Sequence, residues 1–145
     1  MDLIEQLNIR RVADISKESG FPSHLILDLT KNQIADQRVA YLESVVISKK
    51  TPTLHHYHQG MIELFLIHSG EAHGQFEDIV SKETIELIIP QGYTFTVPIG
   101  VSHGFTAKEY ANLLSLGFIL SSHWGTDIHP YEPTTKTTPV TLEPI

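Results

Sequence analysis

The sequence predicts an all-β protein, an antiparallel sandwich or barrel, on three observations. From Arg38 onward, strand-length stretches of β-branched and aromatic residues recur between Gly, Pro and polar turns. No helix-length amphipathic segment interrupts that series, which argues against strands alternating with helices around a parallel sheet. At 145 residues with no cysteine, the chain has the length of one domain and must hold its core by burial alone, without disulfides or Cys-based metal sites.

In chain order, Leu3, Ile4, Leu7, Val12 and Ile15 fall at helical spacing, and Asp2 with Glu5 has the form of a capping box, so a short amphipathic helix is expected over 2–16. Gly20, Pro22 and Ser23 break that pattern before the β-like run HLILDLT. The segments VAYLESVVIS, LHHYH, MIELFLIH, AHGQFED, ETIELII, YTFTV and ANLLSLGFIL read as strands, with turns at 49–52, 59–60, 69–70, 90–92 and 98–100. MIELFLIH is apolar on both alternating faces, with Ile62, Leu64 and Leu66 on one and Phe65 and Ile67 on the other. Such a strand needs cover twice, once from the interior and once from the amino-terminal segment or a second subunit. From Ser121 the chain is rich in Pro and Thr and reads as an extended arm or a disordered tail, its first part packed through Trp124, Ile128 and Tyr131. No internal repeat is visible, so the expectation is one domain over 1–145, with its core at 39–120 and a tail at 121–145.

Charge narrows the function. Ten Lys and Arg against seventeen Asp and Glu give a formal charge of -7, which repels a phosphate backbone or an anionic bilayer, so no nucleic-acid or membrane partner is expected. The amino terminus lacks the basic-then-apolar order of a signal peptide, and no apolar run is long enough to span a bilayer; a cytoplasmic protein is the expectation.

Nine histidines stand out, three of them (His55, His56 and His58) within four residues. On a strand, positions two apart share a face, so His56 and His58 aim at one point inside a barrel while His55 and Tyr57 face away. The Gln59 and Gly60 turn then starts a new run that brings Glu63 toward the same point, and Pro98 and Gly100 bend the chain just ahead of His103. Three neutral imidazoles and one carboxylate suit a divalent first-row ion, Fe, Mn, Ni, Co or Zn, and leave positions open for substrate. Phe95, Val97 and Phe105 read as lining of a partly apolar substrate pocket. Tyr93, His123, Asp127, His129 and Tyr131 would reach the barrel mouth if the tail folds back. His24, His68 and His73 read as surface residues.

These residues resemble the cupins. Their first motif, G(X)5HXH(X)3,4E(X)6G, is matched by His56, His58, Glu63 and Gly70, and their second, G(X)5PXG(X)2H(X)3N, by Gly92, Pro98, Gly100 and His103. Lys50 and Ala107 depart from the pattern at its first Gly and its last Asn, neither of which is a metal ligand in the family. The resemblance covers about 39–120 and implies a double-stranded β-helix, a jelly-roll barrel, of the metal-binding RmlC-like kind. It also implies a metal on His56, His58, Glu63 and His103, with Glu63 additionally able to act as a base. The implied chemistry is that of an isomerase, epimerase or lyase working through an enolate on a small oxygen-rich substrate such as a sugar or keto acid. An iron-dependent dioxygenase and a non-enzymatic ligand-binding cupin are the alternatives. Apolar strand faces and an extended tail favour a symmetric homodimer.

Overall fold

The computed structural model describes residues 2–20, 38–119, 127–134 and 136–144. The run HLILDLT and the side chains of His24, His123 and Trp124 lie outside them.

Helix α1 (Leu3–Leu7) begins at Asp2, whose carboxylate accepts from the Glu5 amide at 2.9 Å. It ends at Asn8, which is left-handed with φ 45°, a conformation that asparagine tolerates better than most residues. Arg10 and Arg11 then form β1 (Arg10–Arg11) by pairing with Thr94 and Tyr93. Helix α2 (Val12–Ser19) follows and stops at Gly20 with φ 78°. The one helix expected over 2–16 is therefore two, divided because two arginines are recruited to a sheet edge. Of the five apolar positions, Leu3, Leu7, Val12 and Ile15 are buried, whereas Ile4 is exposed on the outer side of α1.

The remaining elements are β2 (Arg38–Ser48), β3 (His56–Tyr57), β4 (Met61–Asp78), β5 (Thr84–Pro90), β6 (Tyr93–Val97), β7 (Val101–Thr106), β8 (Tyr110–Ile119), β9 (His129–Pro130) and β10 (Val140–Thr141). The first half of β4 joins one sheet, in the order β1, β6, β4, β8, β2. Its second half joins another, in the order β10, β5, β4, β7, β3, β9. All these pairings are antiparallel except that of β10 with β5. This is the jelly-roll arrangement expected, with one difference. Among the described residues the hydrogen bonding does not close into a ring, so the body is an open sandwich folded over through β4 rather than a closed barrel.

That fold-over explains a second difference. MIELFLIH and AHGQFED are one strand, and the turn expected at 69–70 is a bend within it, with a register shift between Ile67 and Ser69. Gly70 makes the bend possible. Its φ is 76°, and a Cβ there would lie 2.2 Å from the Tyr110 carbonyl oxygen. Strand β7 was not anticipated, because its alternation of Val101, His103 and Phe105 is only three residues deep.

The interior is a cluster of Phe65, Phe76, Phe95 and Phe105 with Ile67, Leu87, Ile89, Val97, Val101 and Leu113, joined by Leu3 and Leu7 of α1. Phe65 and Phe95 stack with centroids 5.2 Å apart, and Phe76 and Phe105 meet edge-on at 5.8 Å. Leu64 and Phe118, with Ile62 and Leu116, form a second cluster, so β4 is apolar on both faces as its sequence requires. In its described residues, 127–134 and 136–144, the tail is an extended arm laid against the second sheet, with Ile128 exposed rather than packed. Tyr131 N donates to His55 O at 3.1 Å, Thr134 N donates to Glu77 at 3.0 Å, and Leu142 N donates to Ile88 O at 3.0 Å.

Candidate metal centre

The cluster is assembled from both sheets. In the second sheet, His56 of β3 pairs directly with His103 of β7, and His58 follows two residues later on the same face. From the first sheet, Glu63 of β4 sits between Val97 and Gly117 in the pairing and points inward. One donor atom from each of the four lies within 4.8 Å of the others. His58, Glu63 and His103 are 3%, 5% and 2% exposed, while His56 is half-buried and forms the open side. The four residues singled out in the sequence are thus brought together.

The hydrogen bonds show which nitrogen each ring offers. Nδ1 of His56 donates to Leu54 O at 2.7 Å, that of His58 to Asp127 O at 2.6 Å, and that of His103 to Val101 O at 3.2 Å. A carbonyl only accepts, so each Nδ1 carries the hydrogen and each neutral ring presents the lone pair of Nε2. Two of those nitrogens, His58 Nε2 and His103 Nε2, lie 2.7 and 2.8 Å from the same oxygen, Glu63 Oε1. His103 Nε2 is buried there without a hydrogen-bond partner. Lone pairs crowded against a carboxylate oxygen repel one another unless positive charge lies among them, which a proton or a metal ion supplies.

The ionisation behaviour agrees. Burial disfavours a charged Glu63, but the His103 charge, together with the charge and hydrogen bond of His58, outweighs it and holds its carboxyl well below the usual carboxylate range. Burial works against a charged His58 too, and Glu63 overcomes it, so His58 is pushed up. His56 is pushed down by burial and by His103.

Two contacts were invisible to the sequence reading. The Tyr41 hydroxyl donates to Glu63 Oε2, and Ser115 Oγ donates to the same oxygen at 3.3 Å. They occupy Oε2 and leave Oε1 as the atom that His58 Nε2 and His103 Nε2 approach. Tyr41 lies opposite Gly117 in the pairing of β2 with β8; its alternation on β2 was visible, but the register that turns it inward was not.

The other singled-out residues divide clearly. Phe95, Val97 and Phe105 belong to the packed interior, where Phe65 and Phe105 lie with ring centroids 6.0 and 6.2 Å from that of His103. Tyr57 faces away and stacks on His129 at 5.0 Å, and His55 Nε2 lies 2.9 Å from Ser102 Oγ. Tyr131 donates to Glu77, and Tyr93 donates to Glu143 O at 2.6 Å. His68 is exposed. His73 departs from the surface reading, since it is half-buried and paired with the buried Glu86 at 3.0 Å.

No protein-family model and no curated protein matches this sequence. Solved structures do, and the class they define is that of the cupins: the chain has the cupin fold. The matches include a dTDP sugar isomerase from Desulfovibrio desulfuricans, with a TM-score of 0.60 and 15% identity over 76% of this chain and 74% of that one. Another is the WlaRB TDP-quinovose 3,4-ketoisomerase from Campylobacter jejuni, at 0.59 and 13% over 73% and 79%. The capsular polysaccharide assembling protein CapF from Staphylococcus aureus aligns at 0.54 and 18% over 63% of this chain, which spans only 28% of that protein.

Proposed function

We propose that this chain is a metal-dependent cupin enzyme that holds one divalent first-row ion on His56, His58, Glu63 and His103 and acts on a small oxygen-rich substrate, a sugar or keto acid. The reaction class is isomerisation, epimerisation or lyase chemistry, in which a proton leaves a carbon next to a carbonyl. The observation that carries the reading is the gathering of one donor atom each from His56, His58, Glu63 and His103 within 4.8 Å, with every ring held by an Nδ1–H bond to a carbonyl and two of the Nε2 atoms set against one oxygen of the buried carboxylate. A structural polar cluster has no need of three imidazoles locked in the same tautomer. When bound, the ion supplies Lewis-acid stabilisation of negative charge developing on a substrate oxygen.

The chain's own residues orient and exclude. The Phe65 and Phe105 rings beside His103 keep water from that side of the cluster, and the half-buried His56 marks the side from which substrate enters. Tyr41 and Ser115 hold Glu63 Oε2, so service of Glu63 as a base requires release of those two hydroxyls. Burial and the Glu63 charge push the Tyr41 phenol up, which keeps it protonated as a donor.

Elemental analysis of protein purified without a metal-binding tag, repeated on Glu63→Gln and His103→Ala, tests the reading. About one ion per wild-type chain and none in His103→Ala is the expected result; a folded wild type with no metal sinks it in favour of a non-enzymatic ligand-binding module. Oxygen consumption with bound iron would redirect it to a dioxygenase. We also propose a single domain and a symmetric dimer, the latter on the exposed Val39, Leu42 and Val46 of β2, for which light scattering giving a monomer is the contrary result. No helix among the described residues is long and apolar enough to cross a membrane.

A further inference from the structure

We propose that Asp127 is a positioning residue for the His/Glu centre, and that docking of the carboxy-terminal arm is thermodynamically coupled to filling of that centre. The inference rests on the metal-binding reading above.

Asp127 is 7% exposed and meets the centre from 69 residues downstream of His58. Its main-chain oxygen accepts the His58 Nδ1 hydrogen at 2.6 Å. Its carboxylate accepts from the amides of Gln59 at 2.8 Å and Gly60 at 2.7 Å, which form the turn between His58 and Glu63. Oδ1 also lies 3.1 Å from His129 Nε2. One residue therefore sets the tautomer and direction of one ligand and the path of the chain to the next.

The other two imidazoles need no such help. Their carbonyl partners, Leu54 O and Val101 O, come from two residues earlier in the chain. His58 alone among the three depends on a distant segment. The strand that carries His56 and leads into His58 is short: β3 has two residues, paired on one side only through His56 and His103. On its other side the arm supplies the pairings of His56 with Pro130 and Tyr57 with His129, and Tyr131 N donates to His55 O at 3.1 Å. Without the arm, the strand that bears His56 and leads into His58 would have one neighbour instead of two. Partners that orient a ligating histidine in this way are worth about 10- to 100-fold in metal affinity. Linkage makes the effect reciprocal: if the docked arm favours occupancy, occupancy favours the docked arm by the same factor.

The test uses the full chain with Zn2+ as probe. Alanine keeps the main-chain oxygen that meets His58 and removes only the carboxylate that pins it to the Gln59 and Gly60 amides. Calorimetric titration of wild type, Asp127→Ala and Asp127→Asn is therefore expected to show affinity about tenfold weaker in the alanine variant and intermediate in the asparagine variant, which keeps one acceptor oxygen. In wild type, Zn2+ is expected to slow exchange of the Gly60 and Tyr131 amides about tenfold or more. A merely structural role would lower the unfolding temperature of both variants while leaving the affinity of the folded protein unchanged, and that outcome overturns the inference. Should Asp127→Ala not fold, the wild-type exchange measurement decides, and rates unaffected by Zn2+ overturn it. A wild type that takes up no Zn2+ overturns the metal reading itself, and the titration of the unaltered chain tells that failure apart from the other.

Discussion

The Tyr41 hydroxyl donates to Oε2 of Glu63 across 22 positions of sequence, and the opposite oxygen of that carboxylate is the one that the imidazoles of His58 and His103 approach. The phenol thus divides Glu63 into a held oxygen and a presented one. Removing it in Tyr41→Phe deletes a buried bond to a charged acceptor, a loss of about 1.5–3 kcal/mol. Urea unfolding is expected to show a lower midpoint with an unchanged slope, and calorimetry a weaker but measurable Zn2+ affinity. An unchanged midpoint would mean that Ser115 alone satisfies Oε2.

Gly117 is the complement of Tyr41. A Cβ at Gly117 would lie 2.3 Å from the Tyr41 ring, so Gly117→Ala drives the phenol away from Glu63. Overpacking of this kind costs about 1–3 kcal/mol. The double variant with Tyr41→Phe should cost less than the sum of the singles, because both act on the same contact. Strict additivity in a double-mutant cycle would argue that Gly117 matters for another reason.

Metal removal should be visible in stability. An ion that binds only the folded chain adds about 2.7 kcal/mol when present at about 100 times its Kd. Addition of a chelator should therefore lower the unfolding temperature of wild type by several degrees and leave His103→Ala unmoved. Equal shifts in both proteins would place the ion elsewhere than on these four residues.

Acid should release the arm. It is anchored on Glu77, by the Tyr131 hydroxyl and by Thr134, and on Glu86, by the Thr137 amide. Burial works against the charge of both carboxylates, but it is outweighed at Glu77 by Tyr131 and Thr134 and at Glu86 by His73, Gln75 and Thr137, so both are held below their usual range. Because these values are depressed on folding, the stability they contribute is fully present above the unfolded carboxylate value of about 4.3 and is lost as pH falls through the folded values. The amide resonances of Thr134 and Thr137 should stay unchanged from neutrality down to about pH 4.3 and shift below it. A transition already complete at pH 6 would show that histidines, not these carboxylates, hold the arm.

Period-two alternation is a property of a single strand. It was enough to place His56 with His58 on one face and to read β4 as apolar on both faces, while Glu63 and His103 were joined to them by the resemblance to the cupin motifs. The i and i-2 contacts that fix the tautomers of His56 and His103 are equally local. The partners of Glu63 and His58 are of a different kind. Tyr41, Ser115 and Asp127 stand 22, 52 and 69 positions away, and strand register together with the path of the arm decides whether they arrive. The division of helix 2–16 at Asn8, the passage of β4 through its bend and the open edge of the sandwich were settled in the same way. The sequence by itself determined which side-chain types could serve as ligands and that His56 and His58 share a face. Tertiary structure alone decided what each ligand leans on, because that depends on which strands lie side by side, and no local pattern of residues encodes that.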